Sequence, residues 1–223
     1  GAKQTFTFST TGLHKVQYLV KKGYRDTGAR LFFQAPTLVS VDFSEFKGEF
    51  TSTFGMFYAC ANLASVTGLR LTNANTDTTQ MFYNCKALSS LEASDWDMSE
   101  VTKANEMFSY CGITSLDADN WVMNNLTNAE YMFQYCEKLT ELKVSNWGMK
   151  SVTSTRRMFY HTDALPILNA SNWTMEKLTK AVDMFYYNSG IKTLNAANWI
   201  RGNAMSLDSI FYLCKKVETI DVS

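Results

Sequence analysis

Apolar residues recur along this 223-residue chain with a long and regular period. The dipeptide Met-Phe returns at steps of 25 or 26 residues, and the same phase extends back to Leu31-Phe32 and forward to Ile210-Phe211. The six Met-Phe pairs begin at Met56, Met81, Met107, Met132, Met158 and Met184. A fixed period of this length predicts a repeat protein in which neighbouring units bury one continuous core.

Each repeat carries two hydrophobic patterns. The first is Leu-x-x-Leu-x-small, as in residues 139–144, and its last three residues alternate as a short strand with one buried face does. The second, as in residues 101–111, places apolar residues at i, i+3, i+7 and i+10, which predicts a short helix. We therefore predict an α/β solenoid with one parallel sheet and short helices opposite. The central leucines should stack as one buried column of Leu91, Leu116, Leu142, Leu168 and Leu194.

The two ends of the chain depart from the repeat. Residues 1–30 contain a degenerate strand half without its helical half, which predicts an amino-terminal cap. Repeats fill residues 31–223, with starts near 31, 56, 81, 107, 132, 158, 184 and 210. The last strand, with Val217, Ile220 and Val222, would be uncovered. We expect either a longer array or end-to-end self-association through this carboxyl-terminal repeat.

Composition narrows the class of protein. The chain is 46% hydrophobic, which is enough for a packed core, and 21 basic residues balance 21 acidic ones. A balanced charge gives no attraction to nucleic acid or to an anionic membrane, and no apolar run is long enough to span a bilayer. The rare residues fall in repeat columns. The tryptophans are Trp96, Trp121, Trp147, Trp173 and Trp199, and the cysteines are Cys60, Cys85, Cys111, Cys136 and Cys214.

The Leu-x-x-Leu-x-small strand followed by Met-Phe-x-x-Cys resembles the BspA-like bacterial leucine-rich repeats. It is most similar to the subfamily in surface proteins of Bacteroides, mycoplasmas and lactobacilli, with Ser94-Asp-Trp-Asp97 and Ser171-Asn-Trp-Thr174 as matching segments. Departures are Met after Trp, and Ala104, Ala129 and Ala181 where the family has Met. The resemblance implies a right-handed leucine-rich-repeat solenoid outside the cell, used for adhesion or for binding a partner, with its export signal removed.

The residues give little support to an enzyme. The only histidines are His14 and His161, and no phosphate loop, zinc cluster or nucleophile elbow occurs. His161 lies one repeat from Cys136, but the repeat places that cysteine on the buried face, so a catalytic pair is not expected. The cysteines are spaced too widely for a zinc site, and parallel side chains disfavour disulfides; we expect reduced, buried thiols. No cofactor is expected.

The outward positions of the strands form the candidate binding site. One column, here called the second column of the face, is Asp42, Thr67, Glu92, Asp117, Lys143, Asn169, Asn195 and Asp221. The column two residues earlier, here called the first column, is Ser40, Ser65, Ser90, Ser115, Glu141, Ile167, Thr193 and Thr219. Solenoids bind through such faces, although an ordinary solvated sheet would look the same. Calcium between Glu92 and Asp117 would have too few ligands. Tyrosines after the Met-Phe pairs offer a second surface.

These observations favour a non-catalytic bacterial surface or secreted module that binds a protein or glycan through its sheet face. A structural spacer within a larger surface protein is the alternative, and a hydrolase built on the sheet face is a third class.

Overall fold

The computed structural model describes residues 25–197, 199 and 206–221, which form a parallel β-solenoid of about seven turns. We name each coil after its Met, or after the residue at that position. The described part of the chain contains nine short strands and no helix. The strands are β1 (Arg25–Thr27), β2 (Ser40–Asp42), β3 (Glu49–Ser52), β4 (Ser65–Thr67), β5 (Ser115–Asp117), β6 (Glu141–Lys143), β7 (Ile167–Asn169), β8 (Thr193–Asn195) and β9 (Thr219–Asp221).

Seven of the nine strands, β2 and β4 to β9, form where the Leu-x-small alternation predicted them, whereas β1 and β3 lie outside that pattern. β2 pairs with β4, β5 with β6, and β7 with β8 and then β9, always in parallel and with equivalent residues opposite one another. The middle residue points into the core: Leu116, Leu142, Leu168 and Leu194 are all buried. Leu91 is only partly buried, and the residues around it form no strand, so the leucine column holds in four coils of the predicted five.

The break between β6 and β7 has its origin in a proline. In neighbouring coils the residue before the strand donates its backbone N–H to the preceding coil, as Thr140 does to Thr114 O and Lys192 to Pro166 O, both at 2.8 Å. Pro166 holds this position in its own coil and has no N–H to donate. The β5–β6 and β7–β8–β9 sheets are therefore separate in their hydrogen bonding.

The predicted helices are wrong: residues 101–111 form a ribbon of tight turns. The N–H groups of Met107 and Ser109 donate to carbonyls three residues earlier in the same coil. The N–H groups of Glu106 and Phe108 donate instead to the next coil, at Glu130 and Met132. An α-helix would require every N–H to bond four residues back within the coil. Here alternate N–H groups donate to carbonyls of the next coil, so the segment forms a ladder of hydrogen bonds between coils and no helix.

Left-handed backbone at two positions of each coil makes this ribbon possible. In one coil these are Glu106 (φ 56°) and Tyr110 (φ 58°), each the third residue of a turn. The positions recur one residue before the Met and three residues after it in all eight coils, with Gly55 and Asn84 among their occupants. A residue with left-handed backbone interrupts a right-handed helix. Since these residues recur every four positions around each Met, the segment forms successive turns and no helix.

A second ladder lies on the side of the coil before each Met. β1 pairs with β3, and parallel bridges then join Asp77, Lys103, Asn128, Ser154, Lys180 and Ser206. A threonine precedes five of these six bridge residues and adds its side chain: the Thr127 hydroxyl donates to Thr102 O at 2.9 Å, and that of Thr153 to Thr127 O at 3.0 Å. These exposed threonines therefore link successive coils.

Two stacks of aromatic rings fill the core. The Phe of each Met-Phe position stacks on the next from Phe32 to Phe211, with ring centroids 5.2–5.6 Å apart. The five tryptophans stack beside them at 5.5–5.7 Å. Such nearly parallel, offset rings gain about 0.5–1.5 kcal/mol per pair beyond their burial. A misplaced coil would forfeit both stacks, so they fix the coils in register.

The predicted amino-terminal cap lies mostly outside the described residues and stays a prediction. Its last residues belong to β1, and Gly28 N–H donates to Ser52 O in the next coil at 2.8 Å. At the other end, Ile220 in β9 is 38% exposed, while Val222 lies outside the described part. Self-association through that end stays a prediction.

We predict that Leu142→Ala lowers the free energy of unfolding by about 2–5 kcal/mol, because Leu142 is central in the buried leucine column and the truncation leaves a cavity. Chemical denaturation of the two proteins measures this. A loss below about 0.5 kcal/mol would contradict the burial of this column.

We also predict that Tyr110→Ile is less stable than Tyr110→Asn by about 1–3 kcal/mol, because a β-branched residue cannot relax at positive φ whereas Asn tolerates it. Both variants remove the same ring, so each is the control for the other. In a helix interior Ile and Asn would differ little, and equal denaturation midpoints would favour a helix over the turn ribbon.

Candidate functional site

The two outward columns of the sheet lie where the sequence placed them. Strands β4 to β7 expose both flanking residues and bury the middle one. In the second column Asp42, Thr67, Glu92, Asp117, Lys143, Asn169 and Asp221 are exposed and Asn195 is half-buried. Glu92 is on the segment that forms no strand, so its place in the column is less regular than that of the others.

Several residues of the second column also turn the chain after the strand. Asp42 Oδ1 accepts a hydrogen bond from Ser44 N at 2.9 Å, and Asn169 Oδ1 accepts one from Ser171 N at 3.3 Å. Asp117 and Asn195 make the same contact to the residue two positions on. This is the Asx-turn, for which Asp and Asn are the preferred residues. The acidic and amide character of this column is therefore partly structural, a role that the sequence analysis missed.

The charged centre of the face is an ion pair and not a cation site. Lys143 Nζ lies 3.0 Å from Asp117 Oδ2 and 4.0 Å from Glu141 Oε1. The hydrogen bond from Lys143 lowers the pKa of Asp117, and the same bond raises the pKa of Lys143. With Lys143 on Asp117, a cation between Glu92 and Asp117 would have a repelling neighbour. The described residues include no group of three or more His, Cys, Asp or Glu side chains that could hold a metal ion.

An apolar side chain stands next to this ion pair. Ile167, one coil after Glu141 in the first column, is 59% exposed. The earlier residues of that column are serines and Glu141, and the later ones are threonines, so Ile167 is its single large apolar member. Nothing in the core requires it, because the buried residue of β7 is Leu168.

The tyrosines that follow the Met-Phe pairs form a second exposed feature, here called the aromatic strip. It consists of Phe33, Tyr58, Tyr83, Tyr110, Tyr135, Tyr160, His161, Tyr186, Tyr187 and Tyr212. The rings stand either two or three residues after the Met position and so form two columns. Where the strip passes from one column to the other, the rings meet edge-on, at Tyr83–Tyr110 (5.7 Å) and Tyr135–Tyr160 (5.3 Å). Since most faces are covered by neighbours, the strip presents mainly ring edges and hydroxyls.

Arginines pack against the same region. The guanidinium of Arg157 lies 5.1 Å from the centre of the Tyr160 ring and its Nε is 3.0 Å from Asp183 Oδ2. Arg156 lies over Tyr131 at 5.6 Å. Partial burial and neighbouring phenols raise the pKa of Tyr83, Tyr110, Tyr160 and Tyr186, so these hydroxyls keep their protons at neutral pH.

The cysteine column is part of the core. All five thiols are free, and Cys60, Cys85, Cys111 and Cys136 are buried. Most donate to the carbonyl of the Phe one coil earlier, as Cys136 does to Phe108 O at 3.0 Å. Burial raises the pKa of every one of them, to about 12 for Cys111 and to about 11 for the half-buried Cys214. Thiols held protonated in this way are poor nucleophiles.

The residues considered for catalysis do not assemble. His161 Nδ1 is 3.2 Å from Asp163 Oδ2, and Ser189 Oγ donates to Asp163 Oδ1 at 2.9 Å, so both contact the carboxylate. In a catalytic triad the histidine would contact the hydroxyl. Cys136 donates to Phe108 O instead of engaging His161. His14 lies outside the described residues.

Each tryptophan donates a hydrogen bond from its indole N–H to a backbone carbonyl. Trp121 Nε1 donates to Ala93 O at 2.7 Å and Trp173 Nε1 to Val144 O at 2.7 Å, in both cases one coil back. All five tryptophans are buried, at 7% exposure or less, so this column serves packing and does not form a ligand stripe.

A parallel solenoid with an exposed short-strand face and inward leucines is a repeat protein of the leucine-rich type. The family described as "Mycoplasma protein of unknown function, DUF285" matches residues 50–166 and 138–222, and the chain belongs to it. This confirms the resemblance to the BspA-like repeat proteins seen in the Met-Phe-x-x-Cys segments. A comparison with curated proteins found no match.

Among solved structures, the crystal structure of a leucine-rich repeat protein from Bacteroides ovatus is similar to this chain. The TM-score is 0.46 at 15% identity, over 87% of this chain and 58% of that one. The chain thus spans less than two thirds of that protein. In the described part of this chain, no helix has the length and apolar character needed to cross a membrane.

We predict that the native protein reacts slowly with thiol reagents, because burial keeps the cysteines protonated and covered. Titration with an aromatic disulfide should detect at most the half-buried Cys214 in the native state and all five thiols after denaturation. Fewer than five thiols under non-reducing denaturation would reveal disulfides and contradict the parallel cysteine column.

Proposed function

We propose that this protein is a non-catalytic binding module of the bacterial cell surface or its surroundings, and that it attaches to a host or partner protein or to a glycan. The support is the family of repeat proteins to which it belongs and the division of its residues between core and face. Residues 139–144 show the division, since Leu139, Leu142 and Val144 are buried in the core whereas Glu141 and Lys143 are exposed on the face.

The observation that carries the proposal is Ile167. Interfaces commonly have an apolar anchor surrounded by polar side chains, and a few such anchors contribute most of the affinity. Glu141 and Thr193 hold the same column position in the coils before and after Ile167. The neighbouring column of the face carries Asn169 and the Lys143–Asp117 ion pair. An isoleucine that is 59% exposed on an otherwise polar face gains little from folding, so its use as a ligand contact accounts for it.

A spacer that only displays another part of a larger surface protein is the alternative function. It would require the coils but no particular outward residue. The aromatic strip is the alternative surface for the binding function, because tyrosine is enriched at interfaces. Both alternatives leave Ile167 without a role, which makes this residue the point of discrimination.

We predict that Ile167→Glu weakens ligand binding at least about tenfold, since it replaces the apolar anchor with a charge. Wild type is first screened on arrays of glycans and of extracellular proteins, and the affinity of each hit is then measured for the variant. Val122→Glu is the matched control, because Val122 is 48% exposed outside the strands and should keep its affinity.

Three other outcomes are distinguishable in the same experiment. Equal loss in both variants would indicate a non-specific effect of charge. Loss on Tyr187→Ala with full binding by Ile167→Glu would move the site to the aromatic strip. No hit for wild type on either array, with all variants equally stable, would favour the spacer.

A further inference from the structure

The junction between the Met132 and Met158 coils lacks two of the bonds that join other coils. Pro166 removes the backbone donor that would pair β7 with β6. Thr162 replaces the cysteine, and its hydroxyl donates to Phe159 O of its own coil at 2.8 Å, whereas Cys136 reaches back to the preceding coil. In a solenoid, stability depends on such neighbour contacts, so this junction relies on the contacts that remain.

His161 stands on the turn-ribbon side of this junction. Its ring is stacked between Tyr135 of the preceding coil (4.9 Å, 10°) and Tyr187 of the following coil (4.8 Å, 9°). The edge of Tyr160 closes a third side at 4.8 Å. The equivalent residues in three other coils are the tyrosines Tyr110, Tyr135 and Tyr187. Histidine thus replaces one neutral ring of the aromatic strip with a titratable ring.

Asp163 extends the contact into the next coil. One carboxylate oxygen lies 3.2 Å from His161 Nδ1, and the other accepts from Ser189 N at 3.0 Å and Ser189 Oγ at 2.9 Å. Burial alone would raise the pKa of Asp163, but the hydrogen bonds from Ser189 and His161 outweigh it and lower the pKa. The carboxylate is therefore ionised and fixed beside the imidazole.

We propose that His161 is a pH-sensitive latch which, when protonated, holds the Met132, Met158 and Met184 coils together. An imidazolium between two phenol faces gains a cation–π interaction on each side, and it gains an ion pair with Asp163. A neutral imidazole keeps the stacking and one hydrogen bond only. The protonated form thus adds attraction across both sides of the Met158 coil.

The charged groups around the imidazole of His161 decide whether its protonation strengthens or weakens the contact between the coils. Asp163 favours the imidazolium, and Glu137 holds the equivalent place one coil back. The opposing cation is Arg157, which lies on Tyr160 and is itself neutralised by Asp183. The pKa of Asp163 is lowered in the fold, so its carboxylate contributes stability above its unfolded pKa of about 3.9 and loses that contribution as the pH falls. The latch therefore operates only where Asp163 is ionised and His161 carries its second proton, and raising the pH releases it.

The test compares His14→Gln, which keeps His161 and serves as the wild type here, with the double variant His14→Gln and His161→Tyr. Replacing His14 leaves no other imidazole that titrates. Native-state hydrogen exchange of peptides spanning residues 158–165 and 184–191 is measured at about pH 5.5 and pH 8. We expect protection in wild type, relative to His161→Tyr, to be about two- to fivefold greater at the lower pH. The comparison at each pH cancels the intrinsic pH dependence of exchange. An equal ratio at both values would overturn the proposal.

Asp163→Asn supplies a second measurement, because asparagine can still accept the hydrogen bonds from Ser189. We expect this variant to lose most of the extra protection at about pH 5.5 while matching wild type more closely at about pH 8. A loss of the same size at both values would mean that Asp163 acts only as a structural acceptor, and the latch would be rejected.

Discussion

The structure depends on the sharing of backbone hydrogen bonds between coils in the turn ribbon. Alternate N–H groups around each Met-Phe pair, such as that of Phe108, donate to the equivalent carbonyl of the next coil. This requires a left-handed residue at two fixed positions in every coil. Once these bonds set the offset at 25 or 26 residues, identical side chains must lie above one another. The phenylalanine, tryptophan and cysteine columns follow from that offset.

The sequence predicted those parts of the fold that depend on which side chains are buried. The alternation in residues 139–144 identified a strand, and the leucine column placed Leu142 in the core, where it is found. It did not identify the turn ribbon, because turns that repeat every four residues bury nearly the same positions as a helix does. The signal that could have identified the turn ribbon is the choice of residues at its left-handed positions. None of the sixteen ribbon residues at positive φ is Val, Ile or Thr, and Gly55 and Asn84 are among them.

The candidate site was predictable in position but not in chemistry. Counting along the strands placed Asp42, Asp117 and Asn169 on the outer face, where they are found. Their hydrogen bonds to the residue two positions on could not be read from the columns, since the turn after each strand was not anticipated. The break at Pro166 was readable, because a proline before a strand removes a donor. Ile167 has no such structural role, and for this reason the proposed ligand contact depends on it.

The shortened coil after Cys111 has a consequence for the gene. Ile113 follows Cys111 after one residue instead of two, and the backbone closes because Gly112 carries no side chain where Lys86 O approaches. Losing a single codon thus needed a particular glycine at that place. Gaining or losing a whole 25- or 26-codon unit needs less adjustment, because the turn ribbon of each coil presents equivalent backbone groups and a stacked Phe ring to its neighbour. Unequal recombination between the repeats would therefore yield foldable proteins of different lengths without any change in the fold.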